Sequence, residues 1–102
     1  MNILIIGLGS IGQRHLRNLK IIEPRSKFYA IRKKRNVPLL NNFNKVIKGN
    51  IKKKYSIKYF NNFKTIYKNK IKIDCAFICT PSSQHISQVI ELLKYNIPCF
   101  VE

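Results

Sequence analysis

Three glycines near the amino terminus have the spacing of a phosphate-binding turn. Gly7, Gly9 and Gly12 follow an apolar run and open a segment with helical periodicity. In such a turn Gly7 lets the chain leave the strand sharply, Gly9 lets a pyrophosphate approach the backbone, and Gly12 lets the helix pack closely. Free N–H groups at the helix start, at Ser10 and Ile11, then face the phosphates. A glycine turn without a ligand is the alternative, but the strand before it and the helix after it favour a dinucleotide site.

A basic cluster lies about 20 residues after these glycines, where the second strand of a dinucleotide fold meets the adenosine ribose. An acidic residue at this place selects NAD, whereas this chain has Arg32 and Lys33, followed by two more cations. A guanidinium can hold a 2′-phosphate through two donors. The sequence therefore predicts NADP as the preferred cofactor and NAD as the alternative. The cluster could also belong to a general excess of lysine, although arginine is scarce in this chain.

The elements that must position these residues alternate between strands and helices. Apolar runs predict strands at 2–6, 28–31, 55–59, 73–79 and from 98 onwards. Helical patterns and capping residues predict helices at 10–22, around 43–47, after Asn61 or Asn62, and after Ser82 or Ser83. Such alternation predicts a single α/β domain over 1–102, a doubly wound parallel sheet of about five strands in the order 3-2-1-4-5, with ligand at the carboxyl ends.

Apolar spacing also predicts which helix faces turn towards the sheet. In the first helix His15 falls on this stripe together with Ile22, so we expect it to pack against the sheet rather than to catalyse. In the short helix after Asn62 the inward set includes Tyr67. The last helix should bury a set spaced at i, i+3, i+4 and i+7, namely Ile86, Val89, Ile90 and Leu93.

The chain carries a formal net charge of +16, and no carboxylate occurs between Glu23 and Asp74. Such a charge is typical of proteins that bind nucleic acid or a membrane surface. A compositional bias towards Lys, Asn and Ile is the interpretation that we favour for most of the lysines, because no nucleic-acid-binding motif accompanies them. We therefore expect only non-specific attraction of polyanions at low salt. No apolar run approaches the roughly 20 residues of a membrane span and no signal peptide is evident, so the expected location is the cytoplasm.

The three cysteines show no pattern of a disulfide or a metal site. Cys75 and Cys79 lie on one predicted strand, about 13 Å apart, which is too far for a disulfide. The CxxxC spacing is not usual for zinc, and no second pair exists. We expect these two residues and Cys99 to be small buried apolar side chains.

Three segments resemble one known family, the Gfo/Idh/MocA oxidoreductases. They are residues 7–15 (GLGSIGQRH), residues 76–85 (AFICTPSSQH) and residues 99–102 (CFVE). The resemblance covers nearly the whole chain and is weakest between residues 36 and 55. It implies an NAD(P)-dependent enzyme that transfers hydride between its cofactor and a sugar, an inositol or a related hydroxyl compound.

The resemblance also implies roles for individual residues. Thr80 and Pro81, with Cys79 before them, would line the cofactor beside its nicotinamide half, and His85 would lie near the same cleft. Glu102 would belong to the Glu-Lys-Pro motif of the family, whose lysine assists proton transfer at the substrate hydroxyl. Without the resemblance, Thr80 and Pro81 would be a strand end and His85 a polar residue early in a helix.

The printed sequence ends at Glu102, before that lysine and before the substrate domain of the family. We therefore expect an incomplete cofactor-binding domain, without catalytic residues of its own and inactive alone, whose substrate domain is missing or separately encoded. Full-length relatives are expected to form homo-oligomers. A stand-alone dinucleotide-sensing module is the alternative function, and a basic nucleic-acid-binding protein is a third hypothesis.

Overall fold

The structure, a computed structural model, describes residues 1–31 and 37–102. Strands and helices alternate along the chain as predicted. Their bounds are β1 Asn2–Ile6, α1 Ser10–Ile22, β2 Lys27–Ile31, α2 Ile51–Tyr55, β3 Ile57–Phe60, α3 Phe63–Lys68, β4 Cys75–Ile78, α4 His85–Leu93 and β5 Cys99–Val101. A 3₁₀ turn, Ser82–Gln84, precedes α4.

The five strands form one parallel sheet in the order β3-β2-β1-β4-β5, which confirms the predicted order. In the central strand β1, Ile6 pairs with Ile31 of β2 and with Ile78 of β4. Because the strands are parallel, their carboxyl ends lie at one edge of the sheet, where the loops after β1 and β4 meet.

The core has two layers, one on each face of the sheet. On one face Leu4 shares a cluster with Ile66 of α3 and Leu92 of α4. On the other face Ile5 shares a cluster with Leu16 of α1. Successive residues of β1 are thus buried on opposite faces, as expected for a central parallel strand covered by helices.

The segment before α2 differs from its prediction. Residues 43–47 form a turn rather than a helix, closed by an antiparallel bridge between Leu40 and Val46. The side chain of Asn41 accepts hydrogen bonds from the N–H groups of Phe43 and Lys45. An asparagine that bonds nearby amides in this way competes with helix formation. The helix of this region lies later, at Ile51–Tyr55, and the edge strand consequently begins at Ile57 instead of residue 55.

The capping predictions have mixed outcomes. Asn62 caps α3 by accepting from the Thr65 N–H at 2.9 Å, as predicted. Neither Ser82 nor Ser83 caps α4, because both belong to the 3₁₀ turn and the helix begins at His85.

The predicted inward faces are partly wrong. Leu92 is the fully buried residue of α4, whereas Ile86, Ile90 and Leu93 are exposed. Ile22 and Tyr67 are exposed as well. The three cysteines are free, as predicted, but half-buried rather than buried.

Within the described part of the chain, no helix has the length and apolar character to cross a bilayer.

Candidate functional site

The turn between β1 and α1 is tightly packed at two of its three glycines. Gly7 has a φ of +95°, and a Cβ atom placed on it would lie 2.7 Å from the carbonyl oxygen of Cys79. A Cβ atom on Gly12 would lie 1.9 Å from the carbonyl oxygen of Gly7. Both positions therefore require glycine for reasons of the fold itself. These contacts also bring the end of β4 directly against the glycine turn.

Gly9 differs from the other two, because a Cβ atom on it would meet no protein atom within 4 Å. Its φ of −75° is open to any residue, so neither packing nor conformation requires glycine here. Gly9 is the N-cap of α1 and provides no side-chain cap. Open space therefore lies beside Gly9, and Ser10 and Ile11, the first residues of α1, are exposed next to it. A pyrophosphate fits such a place, because uncapped amides and the positive end of a 13-residue helix both favour an anion.

A buried glutamine holds the glycine turn to the segment that follows β2. The side chain of Gln13 is fully buried; its Nε2 donates to the carbonyl oxygens of Leu8 at 3.0 Å and Pro38 at 2.9 Å. Its Oε1 accepts from the Leu40 N–H at 2.8 Å. The role of Gln13 was not predicted from the sequence. The available signal was a polar side chain directly after Gly12, on the part of α1 that must face the sheet.

The loop after β4 is fixed by its own polar side chains. The N–H of Cys79 donates to the carbonyl oxygen of Ile6 at 2.8 Å, which continues the sheet by one bond. The Thr80 hydroxyl donates to Oε1 of Gln88 at 2.5 Å. Pro81 precedes the 3₁₀ turn. Thr80 thus lies beside the glycine turn at the carboxyl edge of the sheet, and the lining of the cofactor by Thr80 and Pro81 stays a prediction.

His85 contacts the same loop through its imidazole ring. Nε2 lies 2.6 Å from the carbonyl oxygen of Thr80. A carbonyl oxygen can only accept, so Nε2 carries the hydrogen in this bond. His85 therefore holds the backbone of the loop after β4, and its place near the cofactor cleft stays a prediction.

A second polar cluster joins the start of α1 to the end of β5. His15 Nε2 lies 2.5 Å from Oε2 of Glu102, and Arg14 Nη2 lies 3.3 Å from its Oε1. The His15 ring also packs near the rings of Phe77 and Phe100, with centroids 5.7 and 6.0 Å away. His15 does pack against the sheet, as predicted, but it binds Glu102 in addition. This pairing was not predicted from the sequence.

The Cys79 thiol lies between these groups and is not an activated nucleophile. Burial, and secondly the Glu102 carboxylate, raise the pKa of Cys79 to about 11. Both causes disfavour the thiolate. Burial likewise raises the pKa of Cys75, with Asp74 as the second cause. Among the described residues, no group of three or more His, Cys, Asp or Glu side chains could hold a metal ion.

Arg32 and Lys33, the predicted contacts of a 2′-phosphate, lie outside the described residues. The last residue before them, Ile31, pairs with Ile6 at the carboxyl edge of the sheet. A small cavity of about 130 Å³ opens beside this pair, and its wall includes Asn62 and Gln88. It lies on the sheet face covered by α3 and α4.

The comparisons with known proteins agree with this arrangement. The family model of the Gfo/Idh/MocA proteins, described as an oxidoreductase family with an NAD-binding Rossmann fold, matches residues 1–102. The comparison with curated proteins gives no match.

Two solved structures have a similar fold. One is a myo-inositol dehydrogenase from Corynebacterium glutamicum, with a TM-score of 0.69 and 17% identity over 99% of this chain and 27% of that chain. The other is a UDP-N-acetylglucosamine 3-dehydrogenase from Acidithiobacillus ferrooxidans, with a TM-score of 0.67 and 15% identity over 99% of this chain and 28% of that chain. The chain thus spans little more than a quarter of either neighbour. Because the family model matches residues 1–102, this chain belongs to the Gfo/Idh/MocA oxidoreductase family and forms the NAD-binding Rossmann domain of that family.

Proposed function

We propose that this chain is the cofactor-binding part of an NAD(P)-dependent oxidoreductase that acts on a sugar or a related hydroxyl compound. The observation that carries the proposal is the open space at Gly9, in front of uncapped helix amides. Two neighbouring glycines are required by packing, whereas a side chain at this one would meet no protein atom within 4 Å. The substrate class is supported by the two dehydrogenases of similar fold, one named for an inositol and one for a nucleotide sugar.

In this proposal the pyrophosphate lies against Gly9 and the amides of Ser10 and Ile11. Arg32 and Lys33 contact the 2′-phosphate of the adenosine ribose, which makes NADP the preferred cofactor and NAD the weaker one. When bound, the nicotinamide supplies the hydride acceptor of the reaction.

The nicotinamide half of the cofactor is proposed to lie along the loop after β4. Cys79, Thr80 and Pro81 line it there, and His85 fixes the loop through the Thr80 carbonyl oxygen. Glu102, tied to His15 at the end of β5, borders the same region from the other side.

We further propose that the domain of residues 1–102 is incomplete at its C-terminal edge and does not turn over substrate alone. The share of the two neighbours that it spans supports this, since 27% and 28% of their chains leave room for a substrate domain. Assembly of the complete enzyme into a homo-oligomer is part of the same proposal.

The proposed location is the cytoplasm. The three free cysteines support a reducing compartment of this kind.

The test is a calorimetric titration of the chain and of its Gly9→Ala variant with NADPH and NADH. The added methyl group meets no protein atom, so the fold should be unchanged, but the group occupies the space given to the pyrophosphate. We expect both cofactors to bind the parent chain and at least tenfold weaker binding to the variant. Binding of NADPH to Gly9→Ala with unchanged affinity would refute the proposed site.

Gly12→Ala is the matched control for this titration. Its methyl group would lie 1.9 Å from the Gly7 carbonyl oxygen, so it should lower the melting temperature as well as the affinity. The two variants together distinguish a blocked site from a damaged fold.

Activity measurements test the rest of the proposal. Binding of the cofactor without dehydrogenase activity would be consistent with a stand-alone sensing module. Turnover of a sugar by the isolated chain would contradict its proposed inactivity.

A further inference from the structure

The positive charge of this chain is concentrated in one half of the sequence. Sixteen of the twenty Lys and Arg residues fall between positions 24 and 73, a segment without Asp or Glu. The four other basic residues are balanced by the four carboxylates of the chain, so the remaining 52 residues have no net charge. A compositional bias that acted on the whole chain would place about half of the cations in each part. Bias alone therefore does not account for their distribution.

The charged segment builds the outer half of the sheet, namely β2, α2, β3 and α3. All twelve of its described cations are exposed: Arg25, Lys27, Lys45, Lys48, Lys52, Lys53, Lys54, Lys58, Lys64, Lys68, Lys70 and Lys72. Within the described ranges, the ion pairs join Glu102 to Arg14 and His15 on the other half of the fold, so these twelve cations have no carboxylate partner.

Several of these cations meet at the amino edge of the sheet, opposite to the glycine turn. Lys27 opens β2, Lys54 lies just before β3, and Lys72 lies just before β4. β3, β2, β1 and β4 are consecutive in the sheet, so the three lysines line one continuous border. Asp74 and Glu23 also lie at this border, but both are half-buried, and Asp74 already accepts from the Asn2 N–H at 2.7 Å.

We propose that this amino edge binds the phosphate backbone of a nucleic acid without reading its bases. Repulsion among unpaired cations is relieved when phosphates bind and their counterions are released. Lysine suits such contacts, because it acts as a point charge, whereas base reading favours the planar fork of arginine. Among the twelve described cations only Arg25 is an arginine.

An anionic membrane fits this edge less well than a nucleic acid. Stable binding to a bilayer surface needs an apolar face beside the cations. In the two short helices of the charged half, Ile51, Tyr55, Phe63 and Ile66 are buried, and Tyr67 is the exposed aromatic residue. These two helices therefore present charge without a continuous apolar face, and the exposed Ile21 and Ile22 belong to the end of α1.

The proposed surface is separate from the cofactor site. Lys27 lies four residues before Ile31, at the carboxyl end of β2, a distance of about 13 Å at ~3.3 Å per residue. A nucleic acid at one edge and a dinucleotide at the other can therefore be bound together.

The test is the fluorescence anisotropy of a labelled 20-nucleotide oligouridylate, titrated with the full chain between 50 and 200 mM NaCl. The edge variant is Lys54→Gln with Lys72→Gln. The matched control is Lys45→Gln with Lys64→Gln, which removes the same charge from exposed positions away from the amino edge. We expect at least fivefold weaker binding by the edge variant at 100 mM NaCl. The slope of log K against log salt should fall by about 1.4, since each lost phosphate contact removes about 0.7. The control should change the affinity by less than twofold.

Equal weakening in both variants, or no binding of the oligouridylate by the parent chain at 100 mM NaCl, would overturn the proposal. Saturating NADPH should leave the RNA affinity within twofold, and competition would instead assign the RNA to the cofactor cleft. The last measurement is sedimentation of the chain with phosphatidylserine vesicles. If the vesicles bind the chain and the RNA does not, the amino edge binds a membrane surface instead of a nucleic acid. Thermal melts of both variants should match the parent chain, because the substitutions leave the buried core unchanged.

Discussion

The imidazole of His15 lies 2.5 Å from the carboxylate of Glu102, although the two residues are 87 positions apart. This contact ties the first turns of α1 to the end of β5, across the edge of the sheet where the candidate site lies. Both side chains are partly shielded, with 19% and 32% of their surface exposed, whereas Arg14, the other partner of Glu102, is 55% exposed. Shielded pairs are screened less by solvent, so the His15 contact should be the stronger of the two.

A double-mutant cycle of His15→Asn and Glu102→Gln tests this contact. We expect a coupling free energy of about 0.5 to 1 kcal/mol in urea unfolding, since partly exposed pairs rarely exceed this range. The control cycle of Arg14→Gln with Glu102→Gln should give less than about 0.3 kcal/mol, because its cation is mostly in solvent. Equal coupling in the two cycles would show that shielding does not distinguish the partners.

Gln13→Leu should lower the free energy of unfolding by about 2 to 4 kcal/mol. The substitution removes three hydrogen bonds of a fully buried side chain and leaves backbone groups of Leu8, Pro38 and Leu40 without their partner. The Leu40 amide should also exchange with deuterium at least tenfold faster.

Asn18→Leu is the control on the same helix, at an exposed position, and should change stability by less than about 0.5 kcal/mol. If Gln13→Leu unfolds in urea like the parent chain and protects the Leu40 amide, the side chain does not anchor this segment.

Cys79 should react slowly with iodoacetamide at pH 8, because its pKa of about 11 leaves little thiolate. Mass spectrometry of the alkylated chain would measure the rate, with the urea-unfolded chain as the reference. The modification rate should rise through pH 10 to 11 in the folded chain. Alkylation of folded and unfolded chains at the same rate at pH 8 would contradict the raised pKa.

The same shift makes stability depend on pH. The folded pKa lies above the ordinary thiol value, so the folded chain holds this proton longer than the unfolded chain does. The stabilising contribution is complete below about pH 9 and is lost as the pH rises towards 11. Relative to Cys79→Ala, the parent chain should therefore lose stability over this range, and parallel profiles would contradict the prediction.

Arg32→Asp tests the proposed cofactor preference. An acidic side chain repels a 2′-phosphate and accepts hydrogen bonds from a free ribose, so NADPH affinity should fall at least tenfold while NADH affinity is kept or improved. Titration of both cofactors gives the result, and Arg25→Asp, at the amino end of β2, is the charge-matched control. Equal losses for NADPH and NADH would mean that Arg32 does not contact the 2′-phosphate.

Much of the fold follows from local sequence patterns. Apolar runs locate the central strands, and Asn62 caps α3. Asn96, shortly after the end of α4, has a φ of +54°, a left-handed conformation that asparagine adopts more readily than most residues. The alternation of strands and helices then leads to the parallel order β3-β2-β1-β4-β5, because right-handed crossovers leave few other arrangements. The glycine turn is readable for the same reason, since its spacing encodes a local conformation.

Other features depend on contacts between distant residues. Spacing alone predicted a partly wrong face of α4, because the structure buries Leu92 while Ile86, Ile90 and Leu93 remain exposed. Gln13 reads as an ordinary helix residue until the segment at Pro38 and Leu40 is placed against it.

The sequence by itself determined the element order, the strand arrangement and the position of the dinucleotide turn, because these follow from patterns within a few residues. Only the tertiary structure decided that Gly7 and Gly12 are required by packing while Gly9 is free, and that His15 meets Glu102. The physical reason is that such distinctions depend on the distance between atoms of separate elements, which exists only after the sheet has formed.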